Sequence, residues 1–438
     1  MSERWQTDRL GKYCYIKARI GWRGLSASEY TESGPALIAG KHIESGIIDW
    51  DGCDHISEFR YRESSEIALA VGDVILTKDG TIGRVARVDS LPGKATINGT
   101  MMLIRPERGI DYRYLYHLLN GAGFKKLIDD KVSGSSIPHI FQRDMVSLPI
   151  SFPPIDHQIK LAQVLDSLDT AIRDTEAIIA KLKVVKQGLL HDLLTRGIDA
   201  NGELRPPQAE APHLYKPSPL GWVPKDWEVK QLAALLAAVD HAMRSGPFGS
   251  ALLKQELVSV GVPLLGIDNV HTERFSTDFR RFVTPRKFAE LARYAVRPSD
   301  LMITIMGTVG RCCVVPEYVG QALSSKHTWT ITLDQELYSP YLAMLQVNYS
   351  PWVLEHFARD QQGGTMAAIR SETLRSTLLP THPREEQRLM EGRLREISKK
   401  IDLEVDACAK MQEEKSGLKD DLLTGRVRVA SLLEAAAA

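Results

Sequence analysis

The stretch GDVILTKDGTIGRV, residues 72–85, returns as SDLMITIMGTVGRC at residues 299–312. In both, an apolar run ends in Gly-Thr-x-Gly-Arg, the pattern of a strand, a tight turn and a return strand. An offset of 227 residues pairs Gly80 with Gly307, Asp73 with Asp300, Thr81 with Thr308, Gly83 with Gly310 and Arg84 with Arg311. The match runs back without a gap through Leu37 and Leu264 to Gly34 and Gly261, and WQTDRL (5–10) resembles WEVKQL (227–232). Further on the offset becomes 229, pairing Ile140 with Ile369, Pro154 with Pro383, Gln158 with Gln387, Gly188 with Gly417 and Asp192 with Asp421. DLLT stands at 192–195 and again at 421–424. The period is far longer than that of a solenoid, so the chain reads as one unit duplicated in tandem.

Each copy has two textures. The first mixes short strand-like runs (DVILT, GRVARV, MMLIRP, LMITIM, TWTITL) with helical pieces such as YRYLYHLLNGAGFKKLI and YSPYLAMLQV, as in an α+β domain. The second begins after SFPPIDHQ and LPTHPREEQ, where Asp156 or the pair Glu385 and Glu386 sits in a helix's first turn. Leu161, Leu165, Leu168, Ile172, Thr175, Ile179, Leu182, Lys186, Leu189 and Leu193 then alternate spacings of four and three. The second copy repeats them as Met390, Leu394, Ile397, Ile401, Glu404, Cys408, Met411, Lys415, Leu418 and Leu422. Such seams predict two long helices packed as a coiled coil, with the polar positions Thr175/Glu404 and Lys186/Lys415 able to fix register.

A helix of about 40 residues is about 60 Å long. Parallel packing would force the linker GIDANGELRPPQAEAPHLYKPSPLGWVP (197–224) to return along that whole length, near the limit of an extended chain. Antiparallel packing is therefore expected, with the globular domains at opposite ends of a dumbbell. The expected division is a first domain at 1–155, a helix at 156–197, a linker at 198–220, a second domain at 221–383, a helix at 384–424 and a tail at 425–438.

Composition narrows the function. The 438 residues carry 55 Lys+Arg against 55 Asp+Glu, so any basic surface must be local. The 43% hydrophobic and 25% charged fractions suit a globular protein. Cys14, Cys53, Cys312, Cys313 and Cys408 form no C-x-x-C pair, which points away from zinc or a disulfide framework and toward a reducing cytoplasm. The opening MSERWQTDRL lacks the apolar core of a signal peptide, and no run approaches a membrane span.

Catalytic patterns are missing too. There is no G-x-x-x-x-G-K-[ST] loop, no H-E-x-x-H, and no Asn/Asp-Pro-Pro-aromatic motif of an adenine methyltransferase; Pro153-Pro154 and Pro206-Pro207 lie in linkers. His139 and His191 read as turn or helix-packing residues, and Glu413 with Lys415 as a solvated helix face.

The order GDVILTKDGTIGR, GSSIPHI (134–140), FPPIDHQ, GLLHDLLTRGI, SPLGWVPKDWEVKQL, the second glycine turn, PREEQ and GLKDDLLTGRV resembles the specificity (S) subunit of a type I restriction–modification system. The second copy departs where GGTMAAI (363–369) replaces GSSIPHI and LPTHPREEQ lacks the double proline, and ASLLEAAAA (430–438) lies beyond the likeness. The resemblance implies a non-catalytic reader of a split asymmetric target in double-stranded DNA, one half-site per domain, with the helices as a ruler. It also implies two methyltransferase subunits that modify adenine with S-adenosylmethionine and restriction subunits that use ATP and Mg, and no cofactor or metal in this chain. Candidates for DNA contact are Lys78, Gly80, Thr81, Gly83, Arg84 and Arg87, then Gly307, Thr308, Gly310 and Arg311, beside turns whose N–H groups suit an anion. Arg280, Arg281, Arg286 and Lys287 in FRRFVTPRK are further candidates, since basic residues interleaved with aromatics suit backbone binding. Other readings are a coiled-coil scaffold without selective DNA binding, a specificity subunit of a modification-only system, and a methyltransferase with an unrecognised site.

Overall fold

The computed structural model describes residues 5–18, 25–133, 139–361 and 368–427. Most of GSSIPHI and of GGTMAAI, and the ASLLEAAAA tail, lie outside them. The chain forms two compact units, Met1–Ile178 with Glu404–Ala438, and Ile179–Leu403.

In the first unit a four-stranded antiparallel sheet has the spatial order Cys14–Ala18, Met101–Pro106, Val74–Thr77, Val85–Arg87. The second unit repeats it as Met243–Ser245, Thr328–Ile331, Leu301–Thr304, Cys312–Val314. Register is shared as well: Val74 faces Arg87 as Leu301 faces Val314. A parallel pairing flanks each sheet, Leu37 on Thr96 and Leu264 on Leu323. Gln6–Arg9 pairs with Pro149–Phe152, and Glu228–Gln231 with Leu378–Thr381, so the entry and exit strands of each globular part lie side by side.

The aspartate before each glycine hairpin anchors its sheet. Asp73 accepts from the Ala70 N–H at 2.7 Å and is paired with Arg105; Asp300 accepts from the Arg297 N–H at 2.7 Å and is paired with Arg244. Both carboxylates are buried. The arginine has moved from the end of one strand to its neighbour across the sheet while its partner stayed, so the interaction is kept and the residue pair is not. At the second pair burial pushes the Asp300 carboxyl up and the Arg244 guanidinium down, the penalty that charges incur away from water.

The long helices are Ile155–Thr195 and Arg384–Leu423, and they pack together. Leu161, Leu165, Ile172, Ile179, Leu193, Met390, Leu394, Ile401, Cys408 and Leu422 are buried. Leu168, Leu182, Leu189, Ile397, Met411 and Leu418 are half-buried, as are Thr175, Lys186, Glu404 and Lys415. In the first unit Leu161 and Leu165 share a core with Leu418 and Leu422 while Glu176 accepts from Gln412, so residue numbers rise on one helix as they fall on the other. The second unit joins Leu190 and Leu193 to Met390 and Leu394. Lys415 is thus not on a solvated face as Glu413-x-Lys415 suggested: a seam position turns it inward, where it pairs with Asp169.

Each long helix is tied to its globular part by a buried glutamine near its start. Gln158 donates to the carbonyls of Gly109 and Pro153 and accepts from the Asp111 N–H at 3.0 Å; Gln387 donates to those of Leu337 and His382 and accepts from the Ser339 N–H at 2.8 Å. Asp111 and Ser339 are the N-caps of the helices Tyr112–Leu119 and Pro340–Tyr349. One amide therefore fastens the long helix to the cap of another, which a buried side chain able both to donate and to accept can do. At the far ends, Gly197 (φ +61°) and Gly425 (φ +72°) stop the helices. A Cβ would run into Glu386 and Trp227 at the first and lie 2.9 Å from Trp5 at the second, so neither position has room for a side chain.

Candidate nucleic-acid interface

The Gly-Thr-x-Gly turns are the same object built twice. Thr77 Oγ1 accepts from the Arg84 N–H at 2.9 Å and donates to the Thr81 carbonyl; Thr304 Oγ1 accepts from the Arg311 N–H at 3.0 Å and donates to the Thr308 carbonyl. The Gly83 N–H reaches the Thr77 carbonyl at 2.9 Å and the Gly310 N–H reaches that of Thr304 at 2.8 Å. Gly80, Gly83, Gly307 and Gly310 all have φ between +72° and +89°, a region that disfavours side chains. Each turn carries an exposed threonine, Thr81 or Thr308, and an exposed arginine, Arg84 or Arg311.

The candidate cations differ in what already holds them. Among the described residues the Arg84 guanidinium donates only to the Gly40 carbonyl, at 3.2 Å, and the Arg311 guanidinium has no partner. Lys78 is buried and pairs with Asp79 at 2.7 Å; the same aspartate holds His139, whose ring packs on Phe141. Arg87 lies between Asp89, at 2.8 Å, and Asp166 of the first long helix, at 2.5 Å, with its guanidinium over the Tyr116 ring. In the second unit Arg280 pairs with Asp278, Arg281 with Asp268, Arg286 with Glu290, and Lys287 with Glu256 and Glu290. Each cation of the FRRFVTPRK cluster is thus already paired: Asp278 and Glu290 flank it in the sequence, while Asp268 and Glu256 come from more distant segments.

Asp166 was not singled out in the sequence. It takes His117 Nε2 at 2.8 Å as well as Arg87. Burial pushes its carboxyl up, but these two hydrogen bonds outweigh that and hold it below the usual carboxylate range. His117, Asp166 and Asp169 bring their ligand-capable atoms within 4.8 Å of one another. Arg87 and Lys415 already balance the two carboxylates, so the group works as a clasp between sheet and helix. The only sequence signal for Asp166 was an acid next to the seam residue Leu165, which also fits a solvated face. His191 is exposed on its helix. The five cysteines are buried free thiols, and among the described residues no helix is long and apolar enough to cross a membrane.

Comparison with known proteins agrees with this geometry. The family model described as type I restriction modification DNA specificity domain matches residues 25–184. The chain is 23% identical to the putative type I restriction enzyme MjaX specificity subunit of Methanocaldococcus jannaschii, over 93% of this chain and 90% of that one. It is 22% identical to the MjaVIII specificity subunit of the same organism, over 98% and 94%. The crystal structure of a type I restriction–modification S subunit from M. genitalium shares the fold, with a TM-score of 0.58 at 15% identity and 96% of each chain covered.

Proposed function

Since the chain belongs to the type I restriction–modification specificity subunits, we propose that it is the non-catalytic DNA reader of such a complex, recognising a split asymmetric target with one half-site per globular part. The observation that carries this reading is one scaffold built twice to the same register, with different charged side chains on the two copies. A shared frame with divergent surfaces is what two different half-sites require. Half-sites read from one face of the duplex lie about one turn, roughly 34 Å, apart, and the paired helices supply a ruler on that scale.

In this reading two methyltransferase subunits dock on the chain and modify adenine with S-adenosylmethionine, and restriction subunits cleave with ATP and Mg. The assembly works in the cytoplasm, where the DNA is. Arg84 and Arg311 are the phosphate contacts of choice, being exposed and, among the described residues, without a carboxylate partner. Thr81 and Thr308, with the glycine N–H groups beside them, flank the same phosphates. Lys78, Arg87, Arg280, Arg281, Arg286 and Lys287 contribute only by exchanging a carboxylate for a phosphate.

The test is DNA binding by the chain assembled with its methyltransferase partner. Arg84→Ala and Arg311→Ala are each expected to weaken binding about equally on all sequences and to lower the salt slope by about 1. A loss confined to one base position would make the arginine a base reader. No loss in either variant would remove the hairpins from the interface.

A further inference from the structure

Both globular parts carry a short hairpin after the parallel strand. In the first unit Ile43–Glu44 pairs with Ile47–Ile48, and the turn passes through Ser45 and Gly46 at φ +50° and +80°. In the second Val270 bridges Phe275, and the turn holds Glu273 at φ +61°. The 227-residue offset puts Glu273 on Gly46. A glutamate occupies a backbone conformation that glycine adopts freely and other residues resist, which directs attention to its side chain.

That side chain leaves the hairpin for the long helix. Glu273 Oε2 accepts from Lys186 Nζ at 2.7 Å and Oε1 accepts from the Tyr349 hydroxyl; Lys186 and Glu273 are each only 15% exposed. The equivalent of Lys186 is Lys415. With glycine at the hairpin of the first unit, Lys415 instead turns to Asp169 on the neighbouring helix. A cleft of about 1050 Å³ remains there, lined by Gly46, Tyr116, Asp166, Asp169, Arg173 and Lys415 among others. Among the described residues, the hairpin at 43–48 makes no hydrogen bond or ion pair to either long helix.

We propose that Lys186, Glu273 and Tyr349 form a latch fixing the second recognition domain's hairpin on its helix, and that this latch makes the complex stringent for the length of the unread spacer. Glu273 is a positioning residue in this account, which rests on the DNA-reading function above. Among the described residues the first domain has no counterpart, and its sheet is held on the helix through Arg87 and Asp166.

Glu273→Gly tests this cleanly, because it gives the hairpin the first copy's residue and relieves the backbone, so the fold is retained. Lys186→Met removes the charge and keeps the stem. In the free full-length chain, amide hydrogen exchange at 270–275 is expected to rise roughly tenfold in both variants, the worth of a charge-assisted contact, with 43–48 unchanged. In the complex with its methyltransferase partner, given a library of target spacers, the variants are expected to modify spacers one base pair longer or shorter as well as the native length. Lys186→Glu combined with Glu273→Lys is expected to restore both readouts. Unchanged exchange overturns the latch, and faster exchange with the single native spacer retained overturns its role in stringency. A parent chain that directs modification to no two-part target defeats the function reading, and the latch's role with it, visibly in the parent sample alone.

Discussion

Glu386→Ala is expected to destabilise the second unit by about 3–5 kcal/mol, the loss typical of breaking a buried ion pair from one side. Glu386 Oε1 accepts from the Ile198 N–H at 2.9 Å and from Arg205 at 2.5 Å, and Oε2 accepts from Arg205 and from Trp227 Nε1, both at 3.1 Å. All three side chains are buried. One carboxylate therefore ties together the end of the first long helix, the returning linker and the tryptophan that opens the second copy. Its loss leaves the buried Arg205 guanidinium with only the Arg196 carbonyl at 3.0 Å and the exposed Asp226 carboxylate at 3.7 Å among the described residues. Glu386→Gln keeps the shape and part of the bonding, so it should cost less. Since the chain has two units, one melting temperature is a poor measure. Hydrogen exchange across 198–227 in denaturant reads the effect directly, and native protection in the alanine variant would mean that packing around Trp227 alone holds the linker.

The second large effect is on specificity. Replacing residues 221–383 with the corresponding part of a relative that reads another target is expected to change one half-site completely and leave the other base for base. The physical ground is the junction: the replaced segment enters and leaves on adjacent strands, Glu228–Gln231 beside Leu378–Thr381, so the cut ends meet again at one edge. Retained Gln387 closes the joint through the main-chain carbonyls of residues 337 and 382, which the backbone supplies whatever side chain stands there. Modification-motif sequencing of the exchanged protein decides it. A change in both half-sites would show that the domains do not read independently.

What could be read from the amino acids was whatever the two copies spell alike. The hairpin of Gly80 and Gly83 recurs at Gly307 and Gly310, and the heptad seam recurs at Met390, because backbone conformation and apolar spacing leave local marks. Pairing across space leaves none. Arg87 looked like a phosphate contact because, beyond the nearby Asp89, its second partner Asp166 lies 79 residues on. Arg281 and Lys287 of FRRFVTPRK looked free for the same reason, their partners Asp268 and Glu256 lying 13 and 31 residues back, whereas Asp278 and Glu290 beside Arg280 and Arg286 were legible as local pairs. Lys415 carried two readings, solvated charge and polar seam position, and only the neighbouring Asp169 decides between them. Glu273 was invisible, since nothing local tells a glutamate at a left-handed turn from one in an ordinary loop.

The central property proposed for this chain is selection of DNA by reading two separated half-sites. The measurement that tests it most directly is base-modification sequencing of DNA from cells expressing the chain with its methyltransferase partner, beside cells lacking only this chain. Two short defined sequences flanking a fixed unread spacer, methylated at adenine and lost with the chain, are the predicted result. A stable complex that leaves the DNA unmodified, or modifies one continuous site, would contradict it.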